Sequence, residues 1–180
     1  MRLLTVGHGT LPATELVGLL EGAGVTLLVD VRSAPGSRRH PHLARDQMGR
    51  WLPEAGIHYR WEPALGGRRK TRTGSPNTAL RHPAFRGYAD HMAGPEFTPA
   101  LDRLLDESAA QTTAAMCAET LWWRCHRRLL SDAAVLLRGA AVVHLDHRGQ
   151  LHEHRLTDGV RVVGQLLQYD VGSPPPLPGI

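Results

Sequence analysis

At 180 residues the chain has the length of about one ordinary domain, and with 42% apolar residues it belongs with globular rather than disordered sequences. Two cysteines exclude a disulfide scaffold and point to a reducing compartment; the start MRLLTVGHGT is too short an apolar run for a signal peptide, and no run of ~18 apolar residues occurs, so the expectation is a cytoplasmic protein with no membrane contact. The net charge of +4 is unevenly spread: between Arg32 and Arg86 stand 12 basic residues against three acidic ones, while the remainder is acidic, and such a basic lobe favours an anionic partner, a phosphorylated small molecule or nucleic acid.

In chain order, Arg2 to Gly7 reads as a buried strand and Pro12 to Glu21 as a helix, stopped by Gly22 and Gly24. Val25 to Val31 is a β-branched, apolar strand of the kind buried on both faces. His42 to Ala55 reads as a helix closed by Gly56, and Ile57 to Trp61 as a third strand. Residues 63–83 form a basic, aperiodic insert with the character of a lid, a binding loop or plain disorder. Pro95 to Ala110 is an amphipathic helix with Phe97, Leu101, Leu104 and Leu105 on one side. Thr112 to Ala118 is a fourth strand, Cys125 to Arg138 a helix ended by Gly139, and Ala140 to Leu145 a fifth strand. Gln150 to Leu156 and Val160 to Tyr169 read as short strands joined by the Asp158-Gly159 turn. The alternation predicts a mostly parallel five-stranded sheet with helices on both faces plus a C-terminal β-hairpin, one domain over 1–170 and a proline-rich tail over 171–180.

Ligands of parallel sheets sit beyond the carboxyl ends of the strands. The first strand ends in Gly7-His8-Gly9, the second in Asp30-Val31-Arg32 followed by Ser37, and the fourth in Cys117-Ala118-Glu119, running on through Trp123 and Arg124 to Cys125-His126-Arg127. Cys125 at a helix start, among Arg124, His126 and Arg127, has the surroundings of a thiolate, and the same amides and arginines suit a phosphate. The alternative is a small buried apolar cysteine. Trp122-Trp123 beside arginine suits base stacking or ordinary packing.

Other chemistries fit less well. Six residues separate Cys117 from Arg124 where a tyrosine-phosphatase loop needs five, and neither a P-loop nor G-x-G-x-x-G is present. Cys117, Cys125 and His126 are ligand types, and His152 and His154 share a strand face, but no C-x-x-C or H-E-x-x-H spacing occurs, so no metal and no cofactor is expected. His144 and His147 read as polar strand-end residues.

Thr5-Val6-Gly7-His8, Leu28-Val29-Asp30-Val31-Arg32 with Pro35 and Ser37, Gly56-Ile57-His58-Tyr59, Leu65-Gly66-Gly67, Ser75-Pro76-Asn77, Phe85-Arg86-Gly87-Tyr88, Met116-Cys117-Ala118-Glu119, Cys125-His126-Arg127, Val143-His144 and His154-Arg155-Leu156 together resemble the domain-of-unknown-function family DUF488 over nearly the whole chain. The resemblance implies a Rossmann-like three-layer α/β/α fold and a polar signature of Asp30, Arg32, Cys117, Glu119, Cys125, His126 and Arg127; it implies no general reaction. The chain departs from it in carrying Gly9-Thr10 where members often have tyrosine or serine.

Two functional expectations follow. In the first, an enzyme acts on a phosphate-bearing substrate, nucleotide or nucleic acid: Cys125 or Cys117 is the nucleophile, Glu119 or His126 the acid/base, and His8, Asp30, Arg32, Ser37, Trp123, Arg124 and Arg127 hold the substrate. In the second, a non-catalytic nucleic-acid-binding module uses the basic 32–86 lobe. A blander third is a partner-binding protein with a vestigial cleft.

Overall fold

In a computed structural model, which describes residues 1–36 and 38–172, the chain forms a mixed α/β protein. The strands are β1 (Arg2–Gly7), β2 (Leu27–Asp30), β3 (His58–Trp61), β4 (Thr113–Cys117), β5 (Ala141–Leu145), β6 (Leu151–Glu153), β7 (Val160–Val163) and β8 (Leu166–Tyr169). The helices are α1 (Ala13–Gly22), α2 (Arg45–Glu54), α3 (Pro83–Met92), α4 (Phe97–Ala110) and α5 (Arg127–Arg138). The sheet order is β3-β2-β4-β1-β5-β6, parallel except for β6, with β7 and β8 forming a separate antiparallel hairpin. None of the described helices is long and apolar enough to cross a membrane.

Strand alternation sorts the core into two layers. Leu4, Val6, Leu28, Ala114 and Met116 face Leu16, Leu20, Met48 and Leu52 of α1 and α2. Leu3, Val29 and Ala115 face Leu101 and Leu104 of α4, Leu129 and Leu130 of α5, and Tyr88 of α3. Every residue of β2 and β4 is buried, as strands covered by helices on both sides require. The four residues expected to line α4 are all buried.

Several expectations change. The sheet has six strands, because Leu151–Glu153 adds antiparallel to β5 rather than pairing with the 160–169 segment. The hairpin lies wholly within 160–169, turning at Gly164-Gln165, where a glycine at φ +63° supplies the positive-φ residue a two-residue turn needs. The segment expected as one helix from His42 is a 3-10 turn at Pro41–Leu43 followed by α2. α5 begins at Arg127, not Cys125: Trp122–Arg124 forms a 3-10 turn, Cys125 is extended, and His126 is the N-cap. Helix α3 was not expected, although His82 as N-cap and Pro83 at the first helical position are its signature; the His82 side chain accepts from the Ala84 amide.

The 63–83 segment is fastened by Asp90 of α3, which is 3% exposed. Its carboxylate accepts from the Arg72 amide, the Ser75 hydroxyl and the Asn77 amide at 2.8, 2.6 and 2.9 Å. Residues 173–180 of the expected tail, and Ser37, lie outside the described residues.

Candidate functional site

Because β4 lies between β2 and β1, the carboxyl ends of these strands are neighbours. Gly7 pairs with Cys117 and Asp30 with Met116, so the residues after each strand converge where ligands of open α/β sheets bind. A cleft of about 950 Å³ opens there, lined by His8, Arg32, Cys117, Glu119, Trp123, Arg124, Cys125 and His126 from the predicted set, and by Ser33, His40, Gly67, Arg68, His82 and Phe85 from outside it.

At the floor, His126 Nδ1 lies 3.8 Å from Cys117 Sγ and 3.6 Å from Cys125 Sγ. The imidazole is held from two sides. Tyr88 packs edge-on against it, centroids 4.9 Å apart, and Gly67 passes so close that a Cβ there would overlap the ring. Arg127, 1% exposed, donates from Nε to Cys125 Sγ at 3.4 Å and from Nη2 to the Glu119 carbonyl. The hydrogen bond with Cys125, then burial, pushes the Cys117 thiol well up from its ordinary range. Burial pushes Cys125 the same way but is outweighed by the hydrogen bond from Cys117 and by His126 and Arg127, which hold it well below.

Beside the floor stands a buried charge pair. Asp30 accepts from Arg32 Nε and Nη2 at 2.8 and 2.6 Å and from the Tyr59 hydroxyl at 2.6 Å. Arg32 Nη1 reaches His8 Nε2 and the Leu43 carbonyl, and Nη2 also reaches Met48 Sδ, so all five guanidinium N–H donors have protein partners. Arg32 borders the cleft as a strut, and Asp30 sits behind it. Burial, and secondly the charge of Arg32, lower His8 to about 4, so its imidazole is neutral at pH 7.

The rim carries the free charge. Arg68 and Arg124 are exposed, and neither makes an ion pair among the described residues; Trp123, 48% exposed, stands beside Arg124. Glu119 lines the cleft, with Oε1 accepting from the Leu121 amide at 3.3 Å. Arg127 does not line this cleft; its guanidinium is turned into the protein. Sequence reasoning missed Arg68 and His82 because they lie in the aperiodic insert, although Gly66-Gly67 just before Arg68 marks a close backbone approach.

Behind Trp122 lies a second cavity of about 750 Å³, bordered by Arg127, His144, His152 and His154. Trp122 stacks flat on His144, centroids 4.0 Å apart. A buried chain runs from the Thr5 hydroxyl to His144 Nδ1 (2.6 Å), from His144 Nε2 to His154 Nδ1 (3.0 Å) and from His154 Nε2 to Asp132 (2.8 Å). Burial, then His154 and Arg127, lower His144 to about 2. His152 instead turns to Asp146, and His147 to the Gly7 carbonyl.

Comparison with curated proteins and with solved structures finds no match. The family model described as Domain of unknown function DUF488 matches residues 12–134, from just before α1 into α5. That stretch includes Asp30, Arg32, Cys117, Glu119, Cys125, His126 and Arg127, whereas Gly7-His8, His144 and His154 lie beyond it. The chain belongs to the DUF488 family.

Proposed function

We propose that the protein is an enzyme acting on a phosphate-bearing substrate of nucleotide type, bound in the 950 Å³ cleft. The observation that carries the reading is the division of labour within one cavity: a sulfur–imidazole cluster at the floor and, at the mouth, two arginines that make no ion pair among the described residues. Arg68 and Arg124 hold the anion, and the exposed face of Trp123 takes a base by stacking, worth about 1–3 kcal/mol. The floor then meets the reacting group, with Glu119 as the carboxylate available for proton transfer. Arg32, whose donors are spent on the protein, holds the wall, and Arg127 ties Cys125 to the loop after β4.

The test combines binding with turnover. Binding of nucleoside monophosphates and of a short single-stranded oligonucleotide, read from quenching of tryptophan fluorescence, should weaken as salt rises and fall at least about tenfold in Arg68→Ala/Arg124→Ala. Mass-spectrometric assay of the same compounds should show conversion by the wild type and none by Glu119→Gln, which keeps the rim. Binding that ignores the two arginines would overturn the reading. Binding without conversion would support the non-catalytic nucleic-acid module instead.

A further inference from the structure

We infer that Cys117, Cys125 and His126 form a site for one zinc-class divalent cation, with an open coordination position facing the cleft. The inference rests on the functional reading only for what that open position meets; the metal site itself stands on geometry.

The three donor atoms lie within 4.8 Å of one another. With zinc–sulfur bonds of about 2.3 Å and zinc–nitrogen bonds of about 2.0–2.1 Å, the S···N edge of a tetrahedron is about 3.6 Å. The observed edges are 3.6 and 3.8 Å. The donor set agrees with the geometry, since two thiolates and an imidazole select a borderline-soft cation in tetrahedral coordination. Three protein ligands with a vacant fourth position are the arrangement of catalytic rather than structural zinc. All three residues line the cleft, so the vacant position opens into it.

The surroundings hold the ligands in place. They arrive from three settings: the end of β4, an extended residue and the N-cap of α5. Tyr88 and Gly67 orient the imidazole. Nδ1 is its ligating atom, because it is the ring nitrogen that faces both sulfurs, at 3.8 and 3.6 Å, while Nε2 is buried with no hydrogen-bond partner among the described residues. The N–H···S bond from Arg127 to Cys125 is an outer-shell contact of the kind that orients metal-bound thiolates. Charge gives the cation a further role. Two thiolates bound to a dication are neutralised by it, and the positive charge of Arg127 is left in excess beside a phosphate-bearing substrate.

The test uses the reduced full-length protein, stripped by chelation and titrated with Co²⁺. Expected are the visible bands of tetrahedral cobalt and a near-ultraviolet sulfur-to-cobalt band, saturating at one ion per chain and abolished by Zn²⁺. Cys117→Ser and His126→Gln should each weaken Co²⁺ binding at least about 100-fold, more than loss of an outer-shell partner does. Circular dichroism and thermal melts identify variants that have unfolded, and at least one of the two must be folded to count. Absence of the bands in the reduced wild type, or their persistence in a folded variant, would overturn the inference. Nucleoside monophosphate binding by the same samples separates the two readings. Tetrahedral bands without nucleotide binding would remove the proposed function and leave the metal; nucleotide binding and conversion by protein that shows no bands would do the reverse.

Discussion

Arg127 and Cys125 form a buried contact in which the guanidinium Nε sits 3.4 Å from the sulfur while Nη2 binds the carbonyls of Glu119 and Thr120. One side chain thereby ties the start of α5 to the loop leaving β4, and so holds Cys117 and Cys125 on the same floor. Gly7 lies against the same spot, where any Cβ would overlap the Glu119 carbonyl.

Replacing Arg127 with methionine, which fills similar space without donors, removes its bonds to the part-buried carbonyls of Glu119 and Thr120 and to the buried Cys125 sulfur. The expected loss is about 2–5 kcal/mol of folding stability, read from urea denaturation midpoints at constant slope. A change below about 1 kcal/mol, the net worth of one ordinary hydrogen bond, would show that Arg127 does not hold this corner together.

Asp30 is fully buried and neutralises Arg32. Asp30→Asn leaves that guanidinium charge uncompensated and should cost about 3–5 kcal/mol, whereas Tyr59→Phe, which removes one hydroxyl bond to the carboxylate, should cost about 1 kcal/mol. Denaturation of the two single variants and the double variant measures both. Equal costs would mean that neutralising Arg32 stabilises the fold no more than the single hydroxyl bond does.

His144 is lowered to about 2 by burial, by His154 and by Arg127. An unfolded chain titrates this imidazole near 6.5. Below that pH the unfolded state therefore takes up a proton that the folded state refuses, and stability falls continuously as the solution is acidified. The contribution is at most about 2 kcal/mol between pH 6.5 and pH 5. Urea midpoints of the wild type and His144→Gln, measured from pH 7.5 to pH 5, should converge toward the acid end. Parallel curves would refute the assignment.

Two glycines give opposite expectations for the same substitution. Gly18 of α1 is exposed and has open space where a Cβ would go, so Gly18→Ala should raise stability by about 0.5–1 kcal/mol. Gly67→Ala forces a methyl into the His126 ring and should cost about 1–3 kcal/mol. Thermal melts of both variants decide. A neutral Gly67→Ala would show that the imidazole is free to move.

Much of the scaffold was legible in the chain because its signals are local. The apolar Leu27-Leu28-Val29 run of β2, the 97/101/104/105 stripe of α4 and the glycine after α5 each depend on neighbours only a few residues away, and the pattern names the element. The floor of the cleft was half legible: strand-end residues could be gathered to one edge of a sheet before the order of its strands was known. The absent C-x-x-C spacing argued against a metal, because spacing records only ligands that are close along the chain. Cys117 reaches Cys125 and His126 through a turn whose course periodicity does not report.

The order of amino acids reveals most of the strand and helix succession, the basic lobe and the family, but neither helix α3 nor the break of 160–169 into two strands. The folded packing settled the rest: that β4 slots between β2 and β1, that 151–153 joins β5 while 160–169 folds on itself, that Asp90 fastens the 63–83 segment, and that Arg32 spends its donors inside the protein and Arg127 turns to Cys125 and the Glu119 carbonyl while Arg68 and Arg124 stay at the rim. The physical reason is that burial and hydrogen-bond satisfaction are properties of groups brought together across long stretches of chain. An arginine in a sequence looks the same whether it will meet a substrate or a carbonyl; only the folded packing around it determines which.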